Sequence, residues 1–116
     1  MIVTIKGEAN NAKFRGIPGI YVLGPNFING RSHWLQESGS NAIWNFRFGK
    51  NKQLSAWEIG SQNDIGRMGG DLVGFPLDDK TGPQEEAIRW KYHNGSDFIL
   101  LDDILVQSGT CILTPY

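Results

Sequence analysis

Apolar positions along this chain recur with a period of two over short stretches, and no helical period is held for long. Over residues 42–48, Trp44, Phe46 and Phe48 fall on one side of a pleat, with Ile43, Asn45 and Arg47 on the other. The aromatic side is expected to face the core. Over residues 87–93, Ile88, Trp90 and Tyr92 alternate with Arg89, Lys91 and His93, a half-buried strand with a solvated basic row. Residues 98–106 are apolar on both faces except at Asp102-Asp103, which suits a central strand, or two strands joined at a bend or bulge there.

Fifteen glycines and five prolines interrupt the chain so often that no long helical pattern survives between them. The segments predicted as strands are 2–6, 20–23, 32–37, 42–48, 54–59, 71–75, 87–93 and 98–106, with a last short one at 111–114. Residues 82–86 are compatible with one helical turn. Short strands at this spacing predict an all-β fold, a single antiparallel β-sandwich or barrel of eight or nine short strands with little helix. One domain spanning residues 1–116 is the expected organisation, because a chain of this length buries roughly two-thirds of its unfolded surface in one core.

Asn29-Gly30 and Asn94-Gly95 lie between predicted strands and suit the positive φ angles of tight hairpins. Asn94-Gly95-Ser96 also fits the N-glycosylation acceptor pattern, but the turn is the preferred reading. Residues 23–27 and 60–70 are predicted as irregular loops. The second holds four glycines with amide, acid and guanidinium groups, and is the first place to look for a small-ligand site.

Several of these residues form a recognisable series. Tyr21 is followed by Asn29-Gly30-Arg31 with Trp34, then by Ala42-Ile43-Trp44, Trp57-Glu58-Ile59-Gly60 and Trp90-Lys91-Tyr92. Across roughly residues 17–106 the pattern resembles small tryptophan-rich β-modules of poorly characterised eukaryotic proteins, with an NGR-x-x-W turn and a W-x-I-G strand. The resemblance implies a non-catalytic fold whose tryptophans are largely structural, and it carries over no catalytic residue.

Eleven basic and twelve acidic residues give a net charge of −1 with no basic block, so the chain lacks the electrostatic footprint of a nucleic-acid binder. No membrane-spanning segment or signal-peptide pattern is present, and a soluble protein of open compartment is expected. The single Cys111 forms no internal disulfide or multi-thiolate zinc site and reads as a small buried residue. His33 and His93 lie far apart without metal-ligand spacing, and each is assigned an ordinary surface or hairpin role. No cofactor is expected. Calcium is the one metal with a donor set, from Asp64, Asp71, Asp78-Asp79 and Asp102-Asp103, but no D-x-D-x-D-G loop organises it and the acids read as turn formers.

Gly66-Arg67-Met68-Gly69-Gly70 is glycine-rich and basic, but no helix follows to supply the dipole of a phosphate cradle. No G-x-S-x-G elbow is present, and a domain of this size seldom encloses the deep cleft that two glycosidase carboxylates need. The expected function is therefore a non-catalytic binding module. Exposed aromatics stack on sugar rings while amides and acids bond hydroxyls, so a glycan is the preferred ligand class. The candidate residues are Trp34, Trp57, Gln62, Asn63, Asp64 and Arg67, with Trp44 and Trp90 assigned to the core. The alternative is a protein-interaction or self-assembly module, including a homo-oligomer, built on an edge strand or aromatic patch. A small hydrolase is the third reading, and requires a concave pocket gathering at least two titratable groups.

Overall fold

The computed structural model describes residues 2–7, 14–76, 81–101 and 103–109. Nine strands, β1 (Ile2–Lys6), β2 (Gly19–Leu23), β3 (Trp34–Gln36), β4 (Asn41–Phe48), β5 (Leu54–Ser61), β6 (Leu72–Gly74), β7 (Trp90–His93), β8 (Phe98–Leu100) and β9 (Leu105–Ser108), form one antiparallel sheet. Their order is β8-β7-β6-β5-β4-β3-β2-β1-β9, a meander that curls into a half-barrel. Of the two architectures expected, the curled sheet is the one formed, and among the described residues no second sheet packs against it. The predicted strand at 111–114, with Cys111, lies outside the described residues, as do Asp78, Asp79 and Asp102.

The pairing register assigns side chains to faces. Val3 pairs with Tyr21, Leu23 with Trp34, Trp34 with Ile43, Ile43 with Ile59 and Ile59 with Leu72, so these residues share one face. That face carries the core, which also takes in Trp57, Trp90 and Val106 together with Phe14, Ile17, Ile88 and Ile104 from connecting segments. Tyr21 is fully buried and its hydroxyl donates to the Ile17 carbonyl at 2.6 Å. Burial pushes its phenol pKa far up.

Alternation in β4 is as expected, but its inward side is the other one. Ile43 faces the main core, whereas Trp44, Phe46 and Phe48 lie on the outer face. Trp44 is nevertheless completely buried, because the segment after β5 folds back over it. Asn45, expected outside, is buried on the core side, where its Nδ2 donates to the Ala56 carbonyl at 3.2 Å.

The doubly apolar run 98–106 is not a central strand. It divides near Asp103 into β8, which pairs with β7, and β9, which pairs with β1, so among the described residues the two pieces form the opposite edges of the sheet. Val106 and Ile104 supply the core, while Phe98, Leu100 and Leu105 stay exposed.

Both Asn-Gly pairs make hairpins by different chemistry. Asn29 and Gly30 have φ of 54° and 79° between the bridged residues Ile28 and Arg31, a two-residue turn needing positive φ at both positions. In the second hairpin the Asn94 Oδ1 accepts from the N–H groups of Ser96 and Asp97 at 2.9 and 2.8 Å, closing a longer turn between His93 and Phe98. Residues 82–88 form successive turns instead of a helix.

Candidate aromatic groove

On the outer face, a register row runs Trp44, Glu58, Val73, Lys91, Leu100 across β4 to β8. Beside it lies a second set, Phe46 and Phe48 on β4, Phe75 just past β6, and His93 with Phe98 at the β7–β8 hairpin. The rings meet in sequence. Phe48 and Phe75 centroids are 6.0 Å apart, Phe75 and Phe98 6.4 Å, and His93 and Phe98 5.1 Å, all close to edge-to-face. Together with Met68, Gly69 and Gly70 they line a groove of about 520 Å³. This volume is the size of an ordinary small-molecule site. Phe98 is 55% exposed and Met68 74%, so the groove presents apolar surface to solvent.

The wall formed by residues 62–71 is fastened from both ends. Gln62 donates through Nε2 to the Asn41 carbonyl at 3.2 Å, and its own N–H bonds the Ser40 carbonyl at 2.8 Å. The Trp44 indole N–H donates to the Arg67 carbonyl at 3.0 Å. Gly70 lies so close to β5 that a Cβ there would come within 2.9 Å of the Glu58 Cβ, which leaves room for glycine alone.

Glu58 is the unusual residue of the site. It is only 4% exposed, its Oε1 accepts the Gly70 N–H at 3.2 Å, and Oε2 has no partner of good geometry. Desolvation raises its carboxyl pKa above the usual 4.5; the Gly70 and Gly69 N–H groups and the Trp44 indole oppose the rise, and the charge on Asp64 adds to it. The native state therefore holds this proton more tightly than the unfolded chain. Glu58 favours folding below its unfolded pKa, and that contribution is lost as pH rises through the folded value. Glu58→Gln is expected to gain on the wild type by about 1 kcal/mol between pH ~4 and pH ~8 in urea titrations. A difference that does not change with pH would contradict this.

The sequence-predicted site is only partly assembled. Trp34 is 3% and Trp57 1% exposed, both on the core face, so neither offers a ring to a ligand. Their centroids lie 5.9 Å apart, the Trp57 indole N–H donates to the Thr81 carbonyl at 3.1 Å, and the Arg31 guanidinium sits 5.1 Å from the Trp57 ring. The expectation of an exposed stacking face on either residue is corrected: the curl of the sheet closes over them. Gln62, Asn63, Asp64 and Arg67 belong to the loop on the opposite face, and Gln62 is spent on fastening it. Asn63 and Arg67 are exposed, Asp64 is half-buried, and neither tryptophan joins them.

Lys91 and His93 lie on the outer face as expected, with Arg89 and His93 exposed, and the two also border the groove. His33 is buried, with Nδ1 bonded to the Asn26 carbonyl at 2.7 Å. Among the described residues, no three His, Cys, Asp or Glu side chains gather to hold a metal ion, and no helix is long and apolar enough to cross a membrane.

The groove residues that sequence reasoning missed, Phe48, Phe75 and Phe98, had a signal only in part. Each flanks a turn at a strand end, but nothing local indicates that three strand ends converge. No family model, curated protein or solved structure matches the chain, so the groove itself carries the functional argument.

Proposed function

We propose that this domain is a non-catalytic binding module whose ligand is a compact, largely apolar organic molecule held in the aromatic groove. The observation that carries the reading is the run of edge-packed, partly exposed rings Phe48, Phe75, Phe98 and His93. Exposed apolar surface of this kind costs solubility unless something covers it, and a folded domain ordinarily turns such rings inward. The groove's volume matches a ligand of drug size rather than a single ion or water cluster.

A glycan is a poorer fit than the sequence implied, because both candidate stacking tryptophans are buried and the groove walls are mainly apolar. The groove does gather Glu58, Asp71, Lys91 and His93, the titratable groups that a hydrolase reading requires. Among the described residues its lining contains no Ser, Thr or Cys to act as nucleophile, and the His93 Nδ1 accepts the Gly95 N–H at 3.1 Å, tying that nitrogen to its own hairpin. Binding is the function these groups support best.

Indole is the test ligand. Its titration is expected to shift amide resonances of β5 to β8 saturably, and Phe75→Ser with Phe98→Ser is expected to weaken binding at least ~10-fold, since each ring supplies a large share of the contact area. Both side chains are exposed, so the double variant should retain the wild-type amide spectrum elsewhere. Failure of indole and naphthalene alike to perturb the groove would overturn the proposal.

A further inference from the structure

The groove is electrically lopsided. Its β4–β5 end holds the buried Glu58, with Asp71 beside it and Asp64 close enough for its charge to be felt; its β7 end holds Lys91 and His93. Val73 stands between Glu58 and Lys91 in the register row, which separates their backbones by two strand spacings, about 10 Å. Lys91 does not close that gap: Glu58 Oε2 has no partner of good hydrogen-bond geometry, and the donors that face the carboxylate are the Gly70 and Gly69 N–H groups and the Trp44 indole.

A carboxylate oxygen left without a donor of good geometry in a buried site is costly, and folding alone gives no reason to keep it there. A partner of opposite charge would turn the cost into recognition. The setting suits one, since aromatic faces attract organic cations and the apolar walls weaken the screening that water would impose. Glu58 shares the groove lining with Met68 and Gly69, which are exposed, and with Gly70, which carries no side chain.

Resting on the binding reading above, we infer that the groove selects organic ammonium ligands, placing the cationic head beside Glu58 at the β4–β5 end and the apolar body against Phe48, Phe75 and Phe98. Asp71 reinforces the preference on the near side. Lys91 opposes a cation at the far end, so it fixes which way round the ligand lies.

Three indoles that differ in the charge of one side chain test this: tryptamine (cationic), tryptophol (neutral) and indole-3-acetate (anionic), titrated calorimetrically into the intact protein at neutral pH. Tryptamine is expected to bind at least ~10-fold more tightly than indole-3-acetate, with tryptophol between them. In Glu58→Gln, which keeps an acceptor for the Gly70 N–H, the tryptamine advantage is expected to fall below ~3-fold while tryptophol affinity changes little. Equal binding of all three by the wild type would overturn the inference and leave the groove reading standing. Tighter binding of indole-3-acetate would overturn it in favour of Lys91 as the charge-reading group. Binding of none would overturn both.

Discussion

Trp57→Ala is expected to leave the domain at the edge of folding, with a loss of about 3–5 kcal/mol against a total of about 5–15 kcal/mol for a domain of this kind. Trp57 is 1% exposed at the centre of the core, and three partners lose their counterpart when its ring is removed. Trp34 loses the ring 5.9 Å away, Arg31 the ring face 5.1 Å away, and the Thr81 carbonyl the indole N–H at 3.1 Å. That carbonyl is held by two donors, the second being Arg31 Nη2 at 3.1 Å, so the loss removes one of the two bonds that tie Thr81 to the core side of the sheet. Urea unfolding followed by far-ultraviolet circular dichroism measures the loss. Trp57→Phe keeps a ring and removes the N–H, so its cost should be nearer ~1–2 kcal/mol. A loss below ~1 kcal/mol for Trp57→Ala would mean that the site collapses around the deletion, and that the core is far less specified than its packing indicates.

Trp44→Ala is the second large effect, and its character should differ. Trp44 is as deeply buried as Trp57 but lies on the outer face, between the sheet and the 62–71 segment. Its removal deletes the contact surface under that segment and the hydrogen bond to the Arg67 carbonyl. A thermodynamic cost of about 3–4 kcal/mol is expected, with the added amide hydrogen exchange concentrated in residues 62–71 beyond the global change. The wall that Met68, Gly69 and Gly70 contribute to the groove depends on the same anchor, so indole affinity should drop at least ~10-fold under conditions where the variant is folded. A folded Trp44→Ala protein with unaltered exchange in residues 62–71 and unaltered indole binding would refute the role assigned to this residue.

The two tryptophans illustrate what a sequence conveys about burial. Period-two alternation marks Trp44 as lying on the side of β4 away from Ile43, and the register agrees. The local asymmetry points the wrong way: Trp44, Phe46 and Phe48 make the more apolar side of β4, yet that side is the outer one, and the side with Asn45 and Arg47 carries Ile43 into the core. The sheet decides, through the curl that gathers Val3, Tyr21, Ile43 and Ile59 on one side, and a loop from elsewhere in the chain then covers the other. Trp34 and Trp57, expected to offer exposed rings, are sealed by the same sheet: Trp57 alternates with Ala56 and Glu58, and its neighbours across the sheet close it in.

Glu58 and the phenylalanines of the groove were legible one at a time but not as a site. A Glu between Trp57 and Ile59 reads as an outward polar residue, which it is by direction. Its burial comes from the segment at Gly70 lying against it, a close approach that this glycine permits but does not announce. Phe48, Phe75 and Phe98 are 50 residues apart from first to last, and meet because β4 to β8 pair as consecutive neighbours.

Taken by itself, the sequence determined the all-β class, the position of nearly every described strand to within a few residues, and the two Asn-Gly hairpins. These follow from chemistry local to a few residues: alternation with the pleat, glycine and proline breaking longer elements, and asparagine and glycine tolerating positive φ. Tertiary structure alone decided that the strands make one curled sheet, that residues 98–106 split between its two edges, that Trp34 and Trp57 are sealed in the core, and that an aromatic groove with a buried acid opens on the outer face. Those outcomes depend on which strand pairs with which and on how far the sheet curls, and both are set by contacts between residues distant in the chain.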